Sequence, residues 1–507
     1  MPEYFVGFDS GTQSTKALII DGDTGEIVGR ATKGYGLIEG LPHGHREQHP
    51  STWVDALLDA YNNALDSYGI NPRHIRGIGV SGQQHGLVPL DEKGEVIRPA
   101  KLWNDTSTAE ECAILTEALG GNDSVIGLIG NSIPPGFTAP KILWLKRREP
   151  SNYEKLRTVL LPHDYLNYYL TGRISMEYGD ASGTALMDVK TRRWSEEVAE
   201  AIDPDLIEKL PSLHASDEAA GTVRPEVAQR LRIGDDVLVS AGGGDNMMAA
   251  IGTGNTKPGI VTVSLGTSGT IYAYSESPVI DPEGEIAAFC DSTNGWLPLV
   301  CTMNVTVTTE LIRNMFGYSY AELEEAVEGT PPGSEGLILL PYLYGERTPN
   351  VPEGTGVYFG LNERTFSPEY LARSAMEGVT MGLNYGFNRL KNLGVRPMEV
   401  RLTGGGARNK AWRRIAVDVF DVEVVTLKVD EGAAYGAAIQ AKWTHQKHIG
   451  EPVNISELTD LYVEVNESSR LQPDSGNAEV YRGLQRLQDM LSLDLRDAFK
   501  AKGSSKG

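Results

Sequence analysis

Near the start of the chain the apolar positions fall in two short runs, YFVGFD and ALIIDGDTGEIVG, broken by small polar residues. Short apolar runs bounded by Gly, Asp, Ser and Thr read as strands joined by tight turns. The period then changes. In STWVDALLDAYNNALDSYG, Trp53, Ala56, Leu57, Ala60, Ala64 and Leu65 recur at helical spacing, which predicts an amphipathic helix. A longer helix is predicted over SPEYLARSAMEGVTMGLNYGFNRLKNLG, with Leu371, Ala375, Val379, Leu383 and Leu390 along one face. Ser367 stands where it can cap this helix, Pro368 suits its first turn, and Gly394 can terminate it. Gly378, Gly382 and Gly386 each weaken it, a cost that close approach of another helix or a ligand would offset. Strand and helix patterns alternate through most of the chain, which predicts an α/β class. From about Glu479, EVYRGLQRLQDMLSLDLRDAFKAKGSSKG reads as a helix followed by a frayed end.

At 507 residues the chain exceeds a single core, which stops growing at about 250–300 residues. A faint long repeat divides it. YFVGFDSGTQSTKALII and GIVTVSLGTSGTIYAY both read as strand, Gly-Thr turn, strand. Each is followed much later by a strand entering three glycines, VLVSAGGGDN in the first half and VRLTGGGARN in the second. Two domains of similar plan are expected, 1–250 and 251–485, with the boundary near GTGNTKPG and a helical, frayed tail over 486–507.

Apolar and charged fractions of 40% and 22% are those of an ordinary globular protein. The net charge of −22 argues against nucleic acid or an anionic membrane as partner. A small anionic ligand held by backbone amides and a metal ion stays compatible with it. Cys112, Cys290 and Cys301 are far apart and lack CxxC spacing, which suits a reducing compartment and gives no zinc site. The opening residues MPEYFVGFDSGT lack a basic segment followed by a long apolar one, and no apolar run reaches the ~18 residues of a membrane span. A cytoplasmic protein is expected.

Glycine clusters hold the candidate chemistry. Gly77 to Gly82, GIGVSG, satisfies GxGxxG, but its glycines lie inside an apolar alternation and QQHGLVPL continues as loop and strand. A dinucleotide fingerprint needs a helix there. The Walker pattern GxxxxGK[ST] is absent. Each Gly-Thr hairpin alone reads as an ordinary β-turn. Two of them facing one cleft would gather amides into anion-binding concavities. Thr12, Ser14, Thr267 and Ser268 would add hydroxyls, and Asp9 could hold Mg2+ against phosphates. In LTGGGARN the missing side chains leave room for adenine and ribose, and Asn409 either caps the next helix or bonds the nucleoside. In SAGGGDN, Asp245 is a natural helix cap; the same position would present a carboxylate to a transferred phosphoryl group. The glycines beside it would leave space for substrate and γ-phosphate. His85 by default reads as a hydrogen-bonded structural histidine, though Gln83 and Gln84 beside it suit a polyhydroxylated ligand. The cluster HGHREQH (His43, His45, His49) reads as ordinary polar surface, since Mg2+ with phosphate prefers oxygen ligands. Lys16, Arg347 and Arg408 follow glycine motifs and suit phosphates or salt bridges equally.

DSGTQSTK, SGQQHG, LWND, GNSIPPGFTAPKILWL, LLPHDYL, SAGGGDN, SLGTSGT, LPYLYGERTP, GVYFGL, LTGGGARN and DEGAAYGAA occur in this order. Over roughly residues 4 to 440 the chain resembles the FGGY family of carbohydrate kinases. The resemblance implies an actin/hexokinase-like α/β fold, with two ribonuclease-H-like domains around a central cleft. It also implies ATP-dependent phosphorylation of a sugar, with D-xylulose as the expected acceptor and Mg2+ as cofactor. Other ketoses or polyols (ribulose, fuculose, glycerol) stay open as acceptors, as does a non-kinase actin-like ATPase; an NAD oxidoreductase is the weakest alternative. SGQQHG stands against glycerol.

Carried over by position, Asp245 is the general base, and Asp9 with Asp245 lies near Mg2+. Thr12, Ser14, Gly266 and Thr267 contact the ATP phosphates; Gly405, Gly406 and Asn409 contact the nucleoside. Gln84, His85 and Asn246 bind the sugar, with Trp103 and Asp105 as neighbours. Gln84 and Ser107 depart from residues common among such kinases, Met and Arg, and these departures bear on the choice of sugar. An ordinary aspartate, with a pKa of about 3.9, is ionised at neutral pH and takes the hydroxyl proton late in the reaction. Beyond sugar and ATP the only partner contemplated is a second copy, in a homodimer.

Overall fold

The computed structural model describes residues 2–504. Its framework is two seven-stranded sheets of one plan. In the first, β1 (Tyr4–Ser10), β2 (Ser14–Asp21) and β3 (Ile27–Gly34) form an antiparallel meander. On the other side of β1 lies β4 (Ile75–Gly82), parallel to it. Two further strands, β5 (Ala219–Thr222) and β6 (Leu238–Ser240), pair antiparallel, and β6 runs parallel to β4. The order is β5-β6-β4-β1-β2-β3, and the two-residue β7 (Gly243–Gly244) extends the pairing along the end of β4.

The second sheet repeats this. Its strands are β8 (Ile260–Leu265), β9 (Gly269–Ala273), β10 (Ala287–Cys290), β11 (Trp296–Thr302), β12 (Glu399–Thr403), β13 (Glu423–Leu427) and β14 (Val465–Leu471). They lie in the order β10-β11-β9-β8-β12-β13-β14. β8, β9 and β11 form the meander, β12 and β13 add parallel strands, and β14 closes antiparallel.

Strand β1 is buried on both faces because helices cover each side. Val6 and Phe8 pack with Trp53, Leu57, Ala60 and Tyr61 of α1 (Pro50–Tyr68). Phe5 points the other way, as strand alternation requires. It joins Leu18, Ile20 and the alanines of a helix from the far half of the chain. Two short-range crossings position that helix. Helix α2 spans Asp245–Gly252 and helix α3 spans Gly432–His448; Phe5 meets Ala434, Ala437 and Ala438 of α3. A Cβ on Gly79 would lie 2.0 Å from the Ala437 carbonyl oxygen, so α3 rests directly on β4. The GIGVSG pattern is therefore a packing surface within a strand. Where α2 and α3 cross, a Cβ on Gly436 would lie 1.8 Å from the Met248 carbonyl oxygen. The two helices between the sheets thus meet backbone to backbone.

Several expectations are corrected here. The two triple glycines are not equivalent positions. VLVSAGGGDN leaves β6, the second parallel strand from β1, whereas VRLTGGGARN leaves β12, the first one beside β8. The counterpart of VLVSAGGGDN is β13 with the loop into α3, and the counterpart of VRLTGGGARN is β4 with SGQQHG. Ser367 precedes the helix Pro368–Asn392 without capping it, because its hydroxyl goes to Glu369 at 2.7 Å. Within that helix Gly378 lies against the Leu339 backbone and Gly386 against Val300. The close approach is to strands, and at Gly382 the nearest atom, on Pro341, is 3.9 Å away.

The C-terminal segment, expected as a helix with a frayed end, is helical as far as the described residues run, and the expected boundary at 485 falls inside a helix. Helix Ser475–Asp494 runs through position 485 and is followed by helix Arg496–Ser504. Gln485 Nε2 donates to the Met381 carbonyl at 3.0 Å, Gln488 Nε2 to that of Gly378 at 2.9 Å, and Phe499 is buried. Buried polar groups with partners tie a helix down. Residues 505–507 lie outside the described part.

Candidate active site

The site grows from the ends of parallel strands, where open α/β sheets leave a crevice. Parallel pairing sets Asp9 at the end of β1 beside Ser81 of β4, and β7 sets Gly243 and Gly244 beside Ser81 and Gly82. The next residue is Asp245, so register alone brings the two aspartates to one strand end. Ser81 Oγ donates to Asp9 Oδ1 at 3.0 Å.

Asp245 is not the helix cap. Gly244 occupies that position with an extended backbone, and Asp245 is the first residue of α2. Asp245 Oδ1 accepts from Asn246 N at 2.8 Å and from Asn246 Nδ2 at 3.0 Å, which leaves Oδ2 for chemistry. Burial, together with the charge of Asp9, pushes its carboxyl up to about 7. Asp9 is raised as well, chiefly by burial, against the pull of Ser81 and Lys16. The two carboxyls at this strand end, with the charge of Asp9 raising Asp245, are oxygen donors of the kind a hard divalent cation takes.

The glycines before Asp245 make room for protein rather than ligand, another correction. A Cβ on Gly243 would strike Ser292 Oγ at 2.2 Å, and one on Gly244 would strike Gln84 Cγ at 2.6 Å. From α3, Gln440 Oε1 accepts from Ser240 Oγ and from Gly242 N, both at 2.8 Å. That clamp on the triglycine loop is invisible in the sequence, because Gln440 lies 200 residues from Ser240.

On one side of Asp245 lie the residues expected at the sugar. Gln84 Oε1 accepts from Asn246 Nδ2 at 3.0 Å, while its buried Nε2 has no partner. His85 has a left-handed backbone (φ +64°), and its ring stacks on Phe137 with centroids 4.4 Å apart. Burial, helped by Lys141, pushes His85 down to about 3, so the ring is neutral. Its Nδ1 lies 2.7 Å from the Gly183 carbonyl oxygen. A carbonyl only accepts, so Nδ1 carries the proton and Nε2 presents a lone pair.

Trp103 Nε1 donates to Thr12 Oγ1 at 2.9 Å, and Thr12 Oγ1 donates to Gln83 Oε1 at 3.2 Å. The first Gly-Thr turn is thereby tied to the loops that carry Gln83 and Trp103. Asp105 is fully buried and accepts from Lys101 Nζ at 2.9 Å, Arg46 N at 2.8 Å and Ser107 N at 3.0 Å. Although burial raises it, Lys101 and Ser107 hold its carboxyl below the usual value. Asp105 therefore braces this wall. His45, Glu47 and Asp105 converge with metal-like spacing, but Lys101 Nζ sits among them, 3.3 Å from His45 Nδ1 and 3.4 Å from Glu47. His43 and His49 are exposed.

On the other side of Asp245 a cavity of about 240 Å³ opens between α2, the second sheet and the start of α3. Asp245, Asn246, Ser264, Thr270, Thr403 and Gly404 line it. Gly404 packs on the backbone of Leu265 and Gly266, and Gly405 borders open space. Asn409 Oδ1 caps helix Lys410–Phe420 through Trp412 N at 2.8 Å, which leaves its Nδ2 for a ligand. Thr12, Ser14, Gly266, Thr267, Gly405, Gly406 and Asn409 all lie outside the wall of this cavity. Lys16 pairs with Glu431 at 2.5 Å, and Arg408 is exposed, 3.9 Å from Asp430. Arg347 is exposed, with its backbone N–H donating to Glu346.

Ser264, Thr270 and Thr403 escaped the sequence reading. A signal for Ser264 was present: it precedes Leu-Gly-Thr as Asp9 precedes Ser-Gly-Thr. Superimposing the two hairpins residue by residue would have found it.

Duplicated sheets, a cleft between them and a carboxylate at the cleft floor define an actin/hexokinase-like kinase architecture. Residues 4–252 match the N-terminal domain of the FGGY family of carbohydrate kinases, and residues 261–445 match its C-terminal domain. The chain is 41% identical over 484 residues to the xylulose kinase of Haemophilus influenzae, covering 94% of this chain and 97% of that one. With the xylulose kinase of Streptomyces coelicolor it shares 38% identity over 86% of this chain and 87% of that one. Among solved structures, the xylulose kinase of Bifidobacterium adolescentis superimposes with a TM-score of 0.81 at 30% identity, over 95% and 99% of the two chains. The chain belongs to the FGGY family of carbohydrate kinases and is an ATP-dependent sugar kinase. Membership removes the NAD oxidoreductase and the non-kinase ATPase from consideration. Among the described residues no single helix is long and apolar enough to cross a membrane.

Proposed function

We propose that this kinase transfers the γ-phosphoryl group of ATP to D-xylulose, giving D-xylulose 5-phosphate and ADP. The relatives named xylulose kinase, matched over nearly the whole chain, support the choice of acceptor. The observation that carries the chemistry is Asp245, with one oxygen fixed by Asn246 and the other unengaged at the cavity.

Gln84 Nε2 donates to a sugar oxygen, and His85 Nε2 accepts from a sugar hydroxyl, with Asn246 alongside. As the attacking oxygen bonds to the γ-phosphorus, Asp245 takes its proton. The bond to the β,γ-bridging oxygen breaks, and ADP leaves with the electron pair. In the unliganded protein this carboxyl stands near 7, a stronger base than an ordinary aspartate. Alignment supplies much of the remaining acceleration. The hairpins hold the phosphates through Thr12, Ser14, Gly266 and Thr267, and Gly405, Gly406 and Asn409 take the nucleoside. Asp9 and Asp245 suit Mg2+, since both are oxygen donors and the charge of Asp9 already raises Asp245. An ion held by Asp9 and Asp245 would neutralise charge on the phosphates. Trp103 and Asp105 shape the sugar wall from behind. The reading also includes closure of the two halves on sugar, a cytoplasmic location and a homodimer as the assembly to look for.

A coupled ADP assay with Mg·ATP and a panel of ketoses and polyols tests this. D-xylulose should give the highest kcat/KM. A higher value with ribulose, fuculose or glycerol would reassign the acceptor, and ATP hydrolysis indifferent to every sugar would sink the reading.

A further inference from the structure

The motif GNSIPPGFTAPKILWL contains a lysine that the chemistry above does not use. Lys141 lies on the helix Thr138–Arg148, and its side chain is fully buried. Nζ donates to the His85 carbonyl at 2.7 Å and to the Gly136 carbonyl at 2.5 Å. Thr138 Oγ1 donates to the same His85 carbonyl at 3.1 Å.

Both acceptors belong to walls of the sugar side. The left-handed turn at His85 takes its carbonyl out of strand pairing, and a buried carbonyl needs a partner from elsewhere. Gly136 backs directly on Trp103, because a Cβ there would lie 2.6 Å from the Trp103 carbonyl oxygen. One buried nitrogen therefore joins the loop that aims His85 to the loop that supports Trp103. An apolar side chain would fill the same space without either bond, and burying an amine without partners is costly. Burial pushes the Lys141 amine down to about 7, with Lys101 adding to this and Asp105 opposing it. The neutral amine still has two N–H donors for two carbonyls, so both tethers persist in either protonation state.

We propose that Lys141 is a positioning residue for the acceptor site, setting the spacing between the His85 and Trp103 walls that a polyhydroxylated acceptor enters. It acts through the backbone and does not touch the sugar. The proposal rests on the reading of His85 as a sugar ligand.

Lys141→Met keeps the length of the side chain and removes both tethers, while Thr138→Val removes only the second bond to the His85 carbonyl. Binding of D-xylulose and, separately, of ADP is measured by titration calorimetry, with His85→Ala alongside. Losing two net hydrogen bonds should weaken xylulose binding by about tenfold in Lys141→Met, and losing one by about threefold in Thr138→Val. ADP binding should stay within about twofold, and KM for the sugar should change more than kcat. Weakened xylulose binding in His85→Ala together with unchanged binding in a folded Lys141→Met overturns the positioning role. Unchanged binding in His85→Ala refutes instead the reading it rests on. If Lys141→Met does not fold, Lys141→Gln, whose shorter side chain cannot reach both carbonyls, decides, and xylulose affinity equal to the parent's overturns the proposal.

Discussion

The two halves of the molecule share one strand plan and differ in what stands at the ends of the strands. Asp9 closes β1 where Ser264 closes β8, and α2 begins with Asp245 where α3 begins with Gly432. The carboxylate before Gly432, Glu431, is paired with Lys16 and Arg30 of the first half. The first half therefore presents two carboxyls that burial raises above an ordinary aspartate, while the second presents hydroxyls, glycine and a neutralised acid. On the proposed reading phosphoryl transfer uses that asymmetry, since the proposed base and cation site stand on the acceptor side and the nucleotide side needs clearance. Duplication supplies the scaffold, and a few residues at strand ends and helix starts supply the chemistry.

Removing the asymmetry should have the largest effect. Asp245→Asn should lower kcat by at least about a hundredfold while sugar binding survives in part, and Glu431→Gln in the second half should cost less than about tenfold. Equal losses in a steady-state assay would break the comparison. The same Asp245→Asn should stabilise the unliganded protein at pH 8. The native carboxyl, near 7, keeps a proton that the unfolded chain, at 3.8, releases. Its contribution to stability is therefore lost as pH rises from about 4 through 7, and the Asn variant escapes that loss. Urea unfolding at pH 5 and pH 8 should show the gain growing with pH.

Next in size is the crossing of α2 and α3. Gly436→Ala drives a methyl into the Met248 carbonyl and should cost about 1–3 kcal/mol or more, read as a fall in unfolding free energy. At Gly405 the space is open, so Gly405→Ala should leave unfolding within about 0.5 kcal/mol and raise KM for ATP several-fold. A stable Gly436→Ala protein would show that the helices can separate.

A smaller effect is expected from the buried cluster beneath the first triglycine loop. Against burial, Asp164 and Asp180 hold His163 up at about 9, and its Nδ1 lies 2.6 Å from Asp180. Its stabilising contribution is complete below 6.5 and is lost as pH rises through about 9. His163→Asn should flatten the loss of stability between pH 7 and 10 in denaturant titrations, and an unchanged slope would remove His163 from that role.

Much of the fold was legible. The hairpin strands and the helix over Pro50–Tyr68 follow from periodicity, because each buries a face that its own residues define. The family motifs named Gln84, Asn246 and Asp245, which the structure brings together through hydrogen bonds of 3.0 Å. What failed depended on neighbours distant in sequence. The triple glycines look alike because both allow close backbone approach, yet they leave different strands. Ser367 lost its cap because Glu369 competes for the hydroxyl. Asp245 follows the cap because β7 carries the extended backbone one residue further, to Gly244. Gln440 and Lys141 could not be read at all, since their partners lie on other elements.

The sequence by itself determined the alternation of strands and helices, the duplication and the letters of the site, because these are set by local period and local chemistry. Only the tertiary structure decided which strand neighbours which and which side chains occupy the space the glycines clear. It also decided how far burial lifts Asp245 above an ordinary aspartate. Those outcomes depend on distances between segments hundreds of residues apart, and desolvation and steric contact act through space rather than along the chain.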